Sequence, residues 1–478
     1  MASADLCFRS ATWLARQIRD GKLSAREAMR EHLSRIERVN PKVNAIVSFI
    51  GEERALALAE AADDAVARSR RKGGKALGAL HGLPTAVKDL VETRGILTTK
   101  GSPIYKDYVP GQDALLVERL KAAGAIVIGK TNTPEFGAGS QTFNAVFGAT
   151  RNPYDPARTC GGSSGGAAVA LATGMLPVAD GSDLGGSLRN PASFCNVVGF
   201  RPSPGRVPAW PAEMGWWHLS VLGSMARSVQ DVALHLSAIA GPDARSPISL
   251  QEPGFTFRTP LARKFKGVRV ALTADLGRYP VDAEVARIVR EQRGALESLG
   301  CIVEEAHPDL GEADEAFRVL RAWKFAQDHG EELRSHRDLM KDTVIWNTEE
   351  GLRLSGTDVS QAEVLRTRCL HRMREFMERY EYLVLPAAAV PPFPIEQRYV
   401  SEIAGVKMAN YIQWMALCYA ITVTGHPAIS VPAGFTAEGL PVGLQMVGRH
   451  QADFSVLQLA HAFEQATLAG ERRPGIAQ

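Results

Sequence analysis

The chain has 478 residues, 45% apolar and 22% charged, with 55 basic against 52 acidic side chains and a formal net charge of +3. At roughly 150 residues per domain this is up to three ordinary domains or one large α/β enzyme, and the near balance of charge leaves no electrostatic footprint for nucleic acid. The longest apolar run, Ala167 to Ala179, is broken by Thr173, Gly174 and Pro177 and falls short of the roughly 20 residues of a membrane-spanning helix.

Met1 to Arg9 holds Asp5 and Arg9 and no apolar stretch, so no secretory leader is expected and the expected compartment is the cytoplasm. Ser24 with Glu27 predicts a capping box, and Met29, Leu33 and Ile36 follow at helical spacing until Asn40-Pro41 ends the helix. An Ala-rich helix is predicted over Glu52 to Arg71. Thr85-Ala86-Val87 then reads as a strand, Asp113 as the cap of a helix running to Ala123, Gly124 as its stop, and Ala125 to Ile128 as a buried strand. That alternation is the grammar of an α/β sheet.

The same grammar returns as a strand over Val268 to Leu272, a helix over Asp282 to Leu299 stopped by Gly300, and a strand at Ile302-Val303. Further strands are predicted over Tyr382 to Leu385, Ala428 to Val431 and Val442 to Val447, before a closing helix from Asp453 to Leu468. Gly241 to Gly267, with similar strands on either side, reads as a long surface connection within one domain. Glu312 to Arg379 reads as charged amphipathic helices, a solvated layer over the sheet. The six cysteines lie at least 35 residues apart with no CxxC, which predicts reduced thiols. The 11 histidines show no metal-ligand spacing, so no metal is expected.

Two glycine-serine clusters interrupt this pattern: Gly161 to Gly166, leading into Ala167 to Ala172, and Gly181 to Ser187, leading into Leu188 to Pro191. Glycine lets a backbone turn tightly, and successive amides at such a turn are donors for developing negative charge. Alone, either cluster reads equally well as such a donor turn or as a plain flexible turn or anion-binding loop; a GxxxxGK[ST] phosphate loop is absent from the sequence. A third element, His81 to Asp89, places Lys88 at the end of an apolar strand. Beside apolar neighbours the ammonium form loses hydration and its pKa falls, so the lysine can serve as a base.

With these residues in place the chain resembles the amidase signature family. Lys88 precedes Ser163 by 75 residues and Ser163 precedes Ser187 by 24, the separations of that family's Ser-Ser-Lys triad. Gly129 to Phe136, Gly148 to Pro153, Val198 to Pro202, Gly425 to Pro432 and Leu440 to Gln445 extend the likeness over nearly the full length. The resemblance implies one α/β/α domain over residues 1–478, built on a large, twisted, mostly parallel mixed sheet, with an amino-terminal helical segment over about 1–75 and a variable helical insertion over about 310–425. It implies Ser187 as nucleophile, Ser163 as bridging serine in a cis peptide after Gly162, and Lys88 as base. The oxyanion hole would be the amides of Leu184, Gly185, Gly186 and Ser187, held by Asp183 and Arg189. Ser164 reads as a helix amino-terminal residue, Asp89 as a surface carboxylate and Cys195 as a small packed residue.

The reaction so implied is hydrolysis of a small-molecule amide through an acyl-enzyme, without a cofactor, by a monomer or homodimer. Carbamates and esters are alternative substrates. Thr133, Trp210, Met214, Trp216, Trp414 and Met415 are the candidate pocket, with the aromatic and methionine residues standing equally as core. Two rival roles follow from the resemblance. Transamidase subunits that release ammonia from glutamine usually carry an aspartate shortly before the turn at Gly425, where this chain has Ile412-Gln413-Trp414-Met415. A non-catalytic scaffold would be expected to have lost Lys88 or Ser187.

Overall fold

Runs rich in Val, Ile and Leu pair into an eight-stranded mixed sheet in the computed structural model, which describes residues 3–71 and 73–477. Met1, Ala2, Lys72 and Gln478, all within the expected domain boundaries, lie outside the described residues. The strands run in the order Ile302–Glu305, Arg269–Leu272, Tyr382–Pro386, Pro441–Gly448, Ala428–Phe435, Val198–Arg201, Val221–Ala226 and Val178–Asp183. The two pairings at the Ile302–Glu305 edge are parallel, and the five others are antiparallel. The mostly parallel sheet expected from the resemblance is corrected here, and the reason is local. Ala428–Phe435 and Pro441–Gly448 are joined by a tight turn closed by the Thr436 N–H on the Leu440 carbonyl at 2.9 Å, and a short hairpin connection admits only the antiparallel sense.

Alternation along the strands builds three layers. In Tyr382–Pro386, Tyr382 and Val384 enter one apolar cluster with Leu236, Ile288 and Val456, whereas Leu383 and Leu385 enter another with Phe317, Met373 and Ile421. A strand turns successive side chains to opposite faces, so the sheet needs a helical cover on each. Helices Val229–Ile239, Ala283–Glu291 and Asp453–Thr467 supply one cover, and Ala313–His336, Gly356–Arg379 and Ala416–Thr424 supply the other. A smaller sheet joins Ile46–Val47, Ile126–Thr131 and Pro84–Lys88. It abuts the large one where the Thr85 hydroxyl donates to the Val178 carbonyl at 3.2 Å and the Lys88 N–H donates to the Asp180 carboxylate at 3.2 Å. The chemistry-bearing ends of both sheets therefore meet.

Several predicted boundaries move for identifiable reasons. The Ser24 capping box forms, but its helix Ala25–Val43 runs through Pro41 and stops at Asn44 in the left-handed region (φ 53°). Lacking an N–H, Pro41 gives up one intrahelical hydrogen bond but the helix runs on for two residues, and the Asn40 side chain accepts from the Ala45 and Ile46 amides beyond it. Asp113 does not cap Leu115–Ala122; Ala114 holds that position, while Asp113 pairs with Lys121 at 2.7 Å. The predicted helix Asp282 to Leu299 is two, Ala283–Glu291 and Arg293–Ser298, broken where the Gln292 side chain donates to the Ile288 carbonyl at 2.9 Å. Phe257 and Phe265 anchor the Gly241 to Gly267 connection in the core. Among the described residues no helix is long and apolar enough to cross a membrane.

Candidate active site

Lys88 ends its strand fully buried, and its Nζ donates to three hydroxyls: Ser163 Oγ at 2.7 Å, Ser164 Oγ at 2.9 Å and Ser182 Oγ at 2.9 Å. An ammonium has three donors and no acceptor, so this shell matches its protonated form. Burial pushes Lys88 down to about 7, against the opposing charges of Asp180 and Asp183. Once a proton leaves, one hydroxyl must reverse and donate to the nitrogen lone pair. The Ser164 hydroxyl donates to the Ser182 carbonyl at 3.4 Å, which leaves Ser163 and Ser182 to reverse. Ser164 is thus part of the lysine's shell as well as the first residue before helix Gly165–Ala172, where its side chain caps nothing.

The Gly162–Ser163 peptide is cis, as the resemblance implied. The Ser140 hydroxyl donates to the Gly162 carbonyl at 2.6 Å, the Asn190 amide donates to Ser140 Oγ at 2.9 Å, and the Thr142 hydroxyl donates to the Gly161 carbonyl at 2.9 Å. Gly166 is required by close approach: a Cβ there would lie 2.3 Å from the Asn132 nitrogen and 2.6 Å from the Ala45 oxygen.

Asp183, at the end of strand Val178–Asp183, organises the second glycine-serine turn. Its carboxylate accepts from Arg189 Nε at 3.0 Å and Nη2 at 2.8 Å and from Arg201 Nη1 at 3.2 Å. All three side chains are fully buried. Burial alone would raise its pKa, but the two guanidinium groups and the Leu188 amide outweigh burial and hold the carboxyl well below the usual range. It also accepts from the Gly186 N–H at 3.0 Å and the Leu188 N–H at 3.1 Å. Gly186 is therefore withdrawn from the predicted oxyanion donors, because its single N–H is already committed. The amides of Leu184, Gly185 and Ser187 have no protein acceptor among the described residues. Gly186 has φ 118°, and a Cβ would lie 2.7 Å from that of Cys418, so glycine is needed there for shape.

Ser163, Ser187 and the Leu184-Gly185 turn line one cavity of about 160 Å³. Ser187 Oγ makes no hydrogen bond within the protein among the described residues. Of the expected pocket residues, Met415 lines this cavity. Met214 lines an adjoining cavity of about 340 Å³ that shares Ser182, Ser220, Lys324 and Asp328 with it. The others are elsewhere. Trp216 is 72% exposed, and Trp414 is buried edge-on against Phe393 at 5.5 Å. Trp210 lies under the Arg245 guanidinium at 4.6 Å. Thr133 is buried in a backbone network with Asn132 and Asn144. Asp89 is fully buried too, accepting from the Thr99 hydroxyl at 2.5 Å; burial pushes it up to about 6, with Lys130 opposing. The surface carboxylate expected at this position is corrected accordingly, whereas Cys195 is buried as expected.

A family model described as Amidase matches residues 27–457. The chain belongs to the amidase signature family. It is 35% identical over 477 residues to an acylamidase of Rhodococcus erythropolis, covering 99% of this chain and 98% of that one. It is 36% identical over 504 residues to a glutamyl-tRNA(Gln) amidotransferase subunit from Moorella thermoacetica, covering 98% and 99%. The crystal structure of a bacterial aryl acylamidase of the amidase signature family superposes with a TM-score of 0.88 at 30% identity, covering 96% of each chain. These relatives support an amide-hydrolysing enzyme.

In this amidase signature protein the main wall of the cavity comes from a segment whose sequence reads as a solvated layer. Phe317, Arg321, Lys324, Phe325, Asp328 and His329 of helix Ala313–His336 all face it. Their spacing of three and four is that of one helical face, and an arginine in the middle of that face was the available signal. Burial and the charges of Lys324, Lys100 and Arg321 push His329 down to about 3, so it is a neutral ring, stacked on Phe136 at 4.3 Å.

The Asp183 clamp generates a stability prediction. Removing one partner of a buried ion pair costs about 3 to 5 kcal/mol, so Asp183→Asn, which strands Arg189 and Arg201, should lower the unfolding free energy at pH 7 by that amount in denaturant titrations. A loss below about 1 kcal/mol would mean that the guanidinium groups find other partners.

Proposed function

We propose that the protein is an amidase that cleaves the C–N bond of an apolar or aromatic amide through an acyl-enzyme on Ser187. The observation that carries this reading is the lysine near neutrality whose nearest hydroxyl, Ser163, shares a cavity with an unengaged Ser187 and a turn of free amides. Neutral Lys88 accepts the Ser163 proton as Ser163 accepts that of Ser187, and Ser187 Oγ attacks the amide carbon. Charge on the carbonyl oxygen is taken up by free amides of Leu184, Gly185 and Ser187, each donor contributing roughly 3 to 4 kcal/mol in comparable hydrolases. The proton returns through Ser163 to the leaving amine, the C–N bond breaks, and water repeats the cycle on the ester to release the acid. Catalytic hydrogen bonds tighten on substrate binding, which accommodates a Ser187 hydroxyl that has no protein partner beforehand.

The walls favour an apolar group beside the reacting amide, since Phe317, Phe325 and Met415 line the cavity that holds the serines. The residue before the Gly425 turn that reaches the cavity is a thioether, Met415, where glutamine recognition would call for a carboxylate. This favours a stand-alone hydrolase over the amidotransferase role of the Moorella relative. Carbamates and esters share the acyl carbon chemistry and are the alternative substrates.

Release of aromatic amine or phenol from matched anilide, carbamate and ester substrates tests the reading. Ser187→Ala should reduce turnover by roughly 10⁴-fold or more; turnover that survives the substitution removes Ser187 as nucleophile. The anilide's kcat/KM should rise with pH, reach half its limit near pH 7 and level off above it, because only neutral Lys88 accepts a proton. Asp180 raises the Lys88 pKa, so Asp180→Asn should move the midpoint to lower pH. A flat profile from pH 5.5 to 8.5, an interval of about 1.5 units either side of that midpoint, would count against Lys88 as base.

A further inference from the structure

We infer that Arg321 is a carboxylate-recognition residue of this cavity, and that the preferred amides carry a carboxylate on the part that meets helix Ala313–His336. The inference rests on the hydrolase reading above and names its substrate class. Arg321 is 4% exposed and lines the cavity that holds Ser163 and Ser187. Its Nη1 is buried with no hydrogen-bond partner, and among the described residues no carboxylate lies within 4 Å of it.

The neighbouring charges are spoken for. Asp183 is held by Arg189 and Arg201, and Lys324 pairs with Asp328. Glu135 accepts from the Ser102 hydroxyl and the Lys341 amide, both at 2.6 Å. The Arg321 guanidinium instead lies 4.2 Å from the ring centroid of Phe325 and 5.3 Å from that of Tyr411. Burial raises the Tyr411 pKa despite the charge of Arg321 and its hydrogen bond to the phenol oxygen, so the phenol is neutral, and its hydroxyl donates to Asn347 at 3.3 Å. His329 also contributes no charge.

A desolvated cation without a counter-charge is costly. Two aromatic rings orient this one without neutralising it, and one of its N–H groups already meets the Tyr411 hydroxyl, leaving the buried, unpartnered Nη1 for a charge-assisted hydrogen bond to a carboxylate. A neutral carbonyl would satisfy the N–H group but not the charge. The apolar side chains around Arg321 would hold the carbon skeleton between the reacting amide and the acid group.

The test uses the full chain carrying Ser187→Ala, so that ligands bind without turnover. Calorimetric titration compares pentananilide with glutaranilic acid, which places a carboxylate on the acyl chain, and with 4-pentanamidobenzoic acid, which places it on the amine side. At least one acid should bind ~10-fold or more tightly than pentananilide, and adding Arg321→Met should abolish that advantage while leaving pentananilide affinity within about threefold. Where Arg321→Met fails to fold, Arg321→Gln, which keeps donors without the charge, is read by the same criterion. Equal affinity for all three ligands, or an advantage that survives the substitution in a protein of unchanged melting temperature, overturns the inference. Turnover by the protein with Ser187 intact separates the two readings. Pentananilide hydrolysis without any carboxylate preference removes the Arg321 inference alone. Absence of all hydrolysis, with Arg321-dependent binding intact, removes the hydrolase reading and leaves the anion site standing.

Discussion

One carboxylate, that of Asp183, fixes the geometry on which the site depends. It ends a strand, orders the following turn by accepting the Gly186 and Leu188 amides, and is gripped by Arg189 and Arg201. Arg189 passes the constraint on: its Nη1 donates to the Cys418 carbonyl and to Gln445 Oε1 at 2.6 Å, and its Nη2 donates to Thr422 Oγ1 at 2.8 Å. Arg201 reaches the Leu219 carbonyl at 2.8 Å. The turn is therefore bound to the Pro441–Gly448 strand and the Ala416–Thr424 helix by charge-assisted hydrogen bonds away from water, where such bonds are strongest. Donors held this rigidly need no reorganisation when negative charge develops.

Lys88 is set by a balance rather than a clamp. Complete burial favours its neutral form, and the fields of Asp180 and Asp183 favour the charged one. Asp180 is itself pushed up to about 6 by burial, with Lys130 opposing. Three serine hydroxyls complete the compromise, because a hydroxyl is donor or acceptor as required. Fixed carbonyls in those positions would hold the ammonium permanently.

What could be read from residues follows whether the determinant is local. The Ser24 and Glu27 capping box and the strands around Tyr382 and Ile429 declare themselves by spacing, and the joint spacing of Lys88, Ser163 and Ser187 marks residues that the fold brings to one place. Pro41 misleads because the one hydrogen bond it removes does not by itself end a helix, which stops at Asn44 instead. The Gly186 amide looks available until its acceptor, Asp183, is seen beneath it. Asp89 looks like a surface group because nothing nearby in sequence announces Lys130 or Thr99. Trp216 and Trp414 look alike as aromatic candidates, yet one faces solvent and the other packs on Phe393. The charged stretch from Glu312 hides its cavity face because acidic and basic residues outnumber the few positions that point inward.

Helix Ala313–His336 lies over the sheet as a cover and reaches the serines with one face, whereas Lys88, Ser163, Asp183 and Arg189 belong to the sheet ends and the turns between them. Under the proposed mechanism, reaction machinery and molecular selectivity would thus reside on separable parts of the chain. Exchanges at positions such as 321 and 325 would then retarget the protein without touching the proton path, whereas Phe317, stacked on Tyr419 at 4.6 Å and packed against Gly185, also supports the turn. A protein engineer can explore the cavity-facing positions of that helix as a compact library.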